Sequence, residues 1–259
     1  MLRHPDVTTL ARAVFSEDGS LIAGIDVDRS QIQVWDAVHG GPAATVQVPE
    51  AGGGLAFGNL SQLAIGTRDH IVFRDVETGA EVAPPLDHPG KIRALAYNGN
   101  RSWLVSGSDN GTVVVWDLTH QPARRLATLT VPGGGSVVEV ATTGDGRLVA
   151  AAGLDNRAIS LWQLPYGTSI GEPVTLHGRA SAVAFSPDGM HLAAGGNEGL
   201  LLIDTATGTP LCPPSPYSSQ SIAYHRTGRL ASAGTDGKVR LWENDDALAH
   251  CDTDTLTAV

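Results

Sequence analysis

The run Ser106–Asp117, SGSDNGTVVVWD, recurs along the chain, and that recurrence constrains the fold more than any other feature of the sequence. A short apolar segment ends near Ser106, Asp109-Asn110-Gly111 supplies a tight polar turn, and Thr112 to Trp116 reads as a strand. Asp, Asn and Gly tolerate the left-handed backbone of tight hairpins. Consecutive β-branched and aromatic residues fit a strand covered on both faces. One such hairpin is marginal alone. Further copies end at Trp35, Trp162 and Trp242, and two degenerate copies place Arg74 and Ile203 at the tryptophan position. The six positions are spaced 39 to 46 residues apart. Upstream of each lies a second echo, an apolar strand followed by a polar turn, as in ALAYNGN and AVAFSPDG.

A period of about 40–45 residues with four strands per unit predicts propeller blades. Strand, turn, strand, turn and a strand closing on Trp-Asp resembles the WD-repeat β-propellers, and AVAFSPDG at 182–189 looks like their first strand and turn. The resemblance covers nearly the whole chain, from about His4 to Cys251. The expected fold is all-β, one propeller domain of four-stranded antiparallel blades. Six whole blades fit, at about 5–49, 50–87, 88–130, 131–175, 176–213 and 214–252, the C-terminal segment 246–251 making the last outer strand. The alternative is a seven-bladed ring with one blade missing or partial.

Of the 259 residues, 17 are Lys or Arg and 27 are Asp or Glu, a formal net charge of -10 without a basic block. That argues against a nucleic-acid or anionic-membrane surface, since both need clustered cations. The sequence has no secretory signal pattern and no apolar run of membrane-spanning length, so the expected location is cytoplasmic. Only Lys91 and Lys238 are lysines, an arginine leaning that with abundant Ala and Gly points to a GC-rich bacterial genome. Cys212 and Cys251 fall at the same outer-strand site of adjacent blades. Blades fan apart at their rims, beyond the roughly 7 Å a disulfide spans, so both read as free thiols in a reducing compartment.

The WD-repeat resemblance implies a buried relay of a loop His, a second-strand Ser, a turn Asp and the Trp. Blade three offers His88, Ser106, Asn110 and Trp116, with Asp109 as the alternative to Asn110; blade six offers Ser232, Asp236 and Trp242. A His–Ser–Asp set invites comparison with a hydrolase triad, but this serine lies inside a strand, with no nucleophile elbow or oxyanion hole implied. The tryptophans read as packing between blades. Arg74 at such a site either exposes that edge or pairs with a carboxylate.

No metal motif is present: there is no HExxH or CxxC, and DVDRSQ at 26–31 lacks the glycine and glutamate of a calcium loop. The glycine runs at 52–54 and 133–135 lack GK[ST], so no phosphate loop and no cofactor is expected.

Surface remains. In a propeller the loops entering each first strand and the turns between second and third strands share one face around the channel. That face should carry Lys91, Arg179, Arg68, Asp109, Asp155, Asn197 and Asp236. The resemblance therefore implies a non-catalytic interaction or scaffold module binding a protein or peptide there, standing alone or joined to a signalling or regulatory domain. The alternative is a propeller enzyme or small-ligand binder, lactonase-like, with three acids, histidines or asparagines converging at the channel mouth. A third possibility is a truncated, open ring that self-associates through edge strands.

Overall fold

The computed structural model describes residues 10–26, 30–48, 50–59, 61–197, 199–211 and 213–242. His4, the turn at 27–29, both cysteines and the expected last outer strand lie outside the described residues.

The apolar runs between polar turns pair with their sequence neighbours into six antiparallel sheets. Blade one comprises β1 (Leu10–Phe15), β2 (Leu21–Asp26), β3 (Gln31–Asp36) and β4 (Pro42–Gln47). Blade two holds β5 (Leu55–Phe57), β6 (Gln62–Gly66), β7 (His70–Asp75) and β8 (Glu81–Asp87). Blade three holds β9 (Ile92–Tyr97), β10 (Trp103–Ser108), β11 (Thr112–Asp117) and β12 (Arg124–Thr130).

Blade four has β13 (Val137–Thr142), β14 (Leu148–Gly153) and β15 (Ala158–Gln163), its outer edge split into β16 (Thr168–Ser169) and β17 (Val174–Thr175). Blade five has β18 (Ala180–Phe185), β19 (His191–Gly196) and β20 (Gly199–Asp204). Its outer position is filled irregularly, by a bridge between Ile203 and Pro210 and by bonds from the Leu211 and Ser215 amides to β20. Prolines 210, 213 and 214 have no N–H to offer a ladder there. Blade six shows β21 (Ser221–Tyr224), β22 (Leu230–Ala233) and β23 (Val239–Trp242).

The six innermost strands, β1, β5, β9, β13, β18 and β21, surround one central cavity of about 540 Å³. The chain is a six-bladed β-propeller, with no helix among the described residues and therefore none long and apolar enough to cross a membrane.

Blades are held by apolar clusters at their junctions, while the outer strands β4, β8 and β12 are largely exposed. Val34, Leu55 and Ile65 join blades one and two; Phe73, Ile92 and Trp116 join two and three. Val105, Val137 and Trp162 join three and four; Leu161, Val183 and Leu201 join four and five; Leu202 and Trp242 join five and six. Each tryptophan at the repeat position is 3–4% exposed. Arg74, in that position in blade two, sets its guanidinium 3.4 Å from Glu81 on the neighbouring strand, so the carboxylate alternative holds.

The junction of blades six and one differs. No core cluster spans it among the described residues, and Val239 and Leu241 of β23 are 57% and 48% exposed.

Candidate functional site

In blades three, four and five the turn between second and third strands is hydrogen-bonded to the incoming loop, which builds one face. In blade three, the Asp109 amide donates to the Lys91 carbonyl at 2.9 Å and the Lys91 amide donates to Asp109 Oδ1 at 3.1 Å. In blade four, the Ser136 amide donates to Asp155 Oδ2 at 3.0 Å, and Asn156 Nδ2 donates to the Pro132 carbonyl at 2.7 Å. In blade five, the Asn197 amide donates to the Arg179 carbonyl at 3.2 Å. Other bonds cross between blades: Gln220 Nε2 donates to Asn197 Oδ1 at 2.7 Å, and Arg157 Nη1 to the His177 carbonyl at 3.1 Å.

The structure thus joins Lys91 to Asp109 and Arg179 to Asn197, while Arg68, Asp155 and Asp236 stand on separate blades. Arg68, Asp109, Asp155, Arg179, Asn197 and Asp236 are exposed and Lys91 is partly so. Two have ionic partners. Arg68 lies 3.6 Å from Glu50, and Arg240 forks onto Asp236 while stacking 4.1 Å over Tyr217. Hydrogen bonds from Arg240 and the Lys238 amide hold Asp236 down at about 2.

The relay expected in blade three assembles only in part. Trp116 Nε1 donates to Ser106 Oγ at 2.9 Å, and Ser106 Oγ donates to the Val114 carbonyl at 3.3 Å. Trp242 Nε1 donates to Ser232 Oγ at 3.1 Å. His88 stays outside: it packs 6.4 Å from the Trp116 ring, and neither ring nitrogen reaches hydrogen-bonding geometry. Burial lowers its pKa to about 4; weak pulls from the Gly90 and Ser106 backbone and from Asp109 do not offset that, and Arg125 adds to it.

Asn110 turns away as well. Its Oδ1 accepts from Ser108 Oγ and the Thr112 amide, and its Nδ2 donates to the Pro89 carbonyl, so it clamps the turn rather than joining the relay. Asp109 holds Lys91, and Asp236 holds Arg240. With Ser106 fully buried and His88 detached from it, the set has no triad geometry.

Two features escaped the sequence reading. Arg12 on β1 reaches across the channel to Glu139 on β13, and both line the cavity. The legible sign was a charged residue inside each of these two innermost strands, LARAVF and VVEVAT. The second is the glycine ending a second strand. A Cβ on Gly107 would stand 2.5 Å from Val137 of the next blade, and one on Gly66 would stand 2.5 Å from Ile92. The recurrence of glycine at that repeat position carried this signal.

Among the described residues no three His, Cys, Asp or Glu side chains are grouped to hold a metal ion. The channel's acid, Glu139, is bonded to Arg12.

Comparison with known proteins agrees with this architecture. The family described as "WD domain, G-beta repeat" matches residues 85–117, 172–203 and 218–243, stretches that reach the third strands of blades three, five and six. The guanine nucleotide-binding protein subunit beta of Zea mays is 26% identical over 174 residues, covering 60% of this chain and 45% of that protein. Cilia- and flagella-associated protein 52 of Bos taurus is 33% identical over 134 residues, covering 49% of this chain and 20% of that protein. The chain spans less than half the length of either. Both relatives are eukaryotic and lend the expected bacterial source no support.

A chain in the crystal structure of the mitotic checkpoint complex superposes with a TM-score of 0.76 at 21% identity, covering 91% of this chain and 74% of that one, a likeness of fold. The ring of six blades, the buried Trp–Ser bonds and the three matched repeats make this chain similar to the WD-repeat β-propellers.

Proposed function

We propose that this propeller is a non-catalytic interaction or scaffold module that binds a protein or peptide partner on its loop face. The observation carrying this reading is the bracing of that face. Turns bearing Asp109, Asp155 and Asn197 are hydrogen-bonded to the incoming loops that carry Lys91, Ser136 and Arg179, so mixed-charge side chains stand on fixed backbone. A surface that needs no ordering on binding loses less entropy to association, and short loops on a rigid ring are a common way to present recognition residues. Mixed charge favours choice of partner and speed of encounter over raw affinity. Relatives named as a G-protein subunit and a structure titled as a checkpoint complex support the same reading, since both names describe assemblies.

Charge reversal tests it. Arg68→Glu, Arg179→Glu and Asp155→Arg, alone and combined, should deplete the partners recovered with the wild-type protein from its own cells, by tenfold or more in the triple variant. Arg226→Glu, in a turn on the opposite face, should leave recovery unchanged. Equal recovery with the triple variant at unchanged thermal stability would remove the loop face from the account.

A further inference from the structure

A second cavity, lined by both polar and apolar groups, lies away from that face. It is a cleft of about 580 Å³ at the rim between blades two and three, opening toward the turns that join first to second and third to outer strands. Phe73, Trp116, Pro84, Pro85, Pro122, Arg101 and Arg125 are among the residues that line it.

Both arginines are held against aromatic rings. The Arg125 guanidinium lies 5.2 Å from the Trp116 ring centre and Arg101 lies 5.9 Å from that of Tyr97. A guanidinium stacked on a ring keeps its edge free as a planar fork of N–H donors, the geometry that matches a carboxylate. Arg125 donates one bond, to the Asp87 carbonyl at 3.2 Å, and forms no ion pair among the described residues. Arg101 meets Glu17 at 3.4 Å, but its Nε is buried without a partner. The one acid lining the cleft, Asp87, faces His70 at 3.2 Å. In a chain of net charge -10, an aromatic cleft with an unpaired arginine is a localised positive site.

Two of these prolines limit how a ligand can be held. Pro84 and Pro85 occupy the outer strand β8, where two consecutive residues offer no N–H. Strand addition relies on an unbroken row of main-chain donors and acceptors, so recognition here falls to side chains.

We propose that this cleft is a second docking site, taking an extended segment of a partner protein that sets an aspartate or glutamate against Arg125 and an apolar side chain against Phe73 and Trp116. It is separate from the loop face, and either can fail without the other.

The test titrates 15N-labelled protein with two capped tetrapeptides, identical except that one pairs leucine with glutamate and the other with glutamine. The Trp116 indole and Arg125 Nε–H signals should move saturably with the glutamate peptide. Affinity should be at least tenfold weaker for the glutamine twin, and for the glutamate peptide with Arg125→Gln. Should Arg125→Gln fail to fold, Gln121→Glu, which sets an acid in the cleft lining, should weaken binding likewise. Equal binding of the two peptides, shifts confined to the loop face, or full affinity in folded Arg125→Gln or Gln121→Glu overturns the proposal.

Discussion

Arg12 Nη2 lies 2.6 Å from Glu139 Oε2, although the two residues are 127 apart in the chain and stand on opposite sides of the channel. A second bond, Nη1 to Oε1 at 3.2 Å, makes the pair bidentate, and Nη2 also reaches the Val138 carbonyl. The pair ties blade one to blade four in the ring whose six–one junction shows no apolar cluster among the described residues. Burial pushes the Glu139 pKa up, and attraction to Arg12 only partly opposes it. The partners therefore depend on one another, yet the pair as a whole gains little over solvent.

A double-mutant cycle separates those two statements. Arg12→Leu and Glu139→Met should each destabilise by about 2–4 kcal/mol, by stranding a charge in the channel, whereas the double variant should cost less than either. Chemical denaturation of all four proteins measures this. The sign of the pH effect also follows. A carboxyl whose folded pKa is raised contributes most below its ordinary value of 4.5 and loses that contribution as pH climbs through the folded value. Glu139→Met should remove that decline.

His88 sets an opposite slope. Its folded pKa of about 4 lies below the ordinary 6.5, so the unfolded chain binds the extra proton between those values. Stability from this group is fully present above about pH 6.5 and lost as pH falls toward 4, a change of about 3 kcal/mol. His88→Phe should flatten that limb, read as denaturation midpoints at pH 5 and pH 7. An NMR titration should find His88 neutral at pH 5.

Asn110→Asp would restore the WD-repeat residue and yet should weaken the protein. Both bonds accepted by Oδ1 survive, but the donor to the Pro89 carbonyl becomes an oxygen facing an oxygen. Loss of about 1–3 kcal/mol is expected, with the melting temperature falling rather than rising.

Gly107→Ala should cost about 1–3 kcal/mol, because the new methyl would overlap Val137 and Val140 of the next blade. Gly144→Ala, with open space around its Cβ, should change stability by no more than about 0.5 kcal/mol. Thermal melts of the two variants make the comparison.

The ring was legible because its information is local and repeated. Trp35, Trp116, Trp162 and Trp242 mark one position in a unit, and the polar turn at 109–111 fixes the hairpin before it. What the sequence concealed depends on contacts between units. Arg12 and Glu139 belong to different repeats, so no spacing within a blade relates them. The partial relay is a matter of side-chain direction: His88 and Asn110 stand at plausible offsets, but the Pro89 carbonyl captures the asparagine. The cleft was equally invisible, since Arg101, Arg125 and Phe73 converge only once blades two and three are packed together.

The central claim is that partners dock on the loop face. Hydrogen–deuterium exchange of this protein, free and bound to a partner purified with it, tests that claim most directly. Protection on binding should fall on the loops at 88–91, 109–111, 154–157, 177–179 and 234–238. Protection confined to the turns on the opposite face, around 98–102, 143–147 and 225–229, would contradict it.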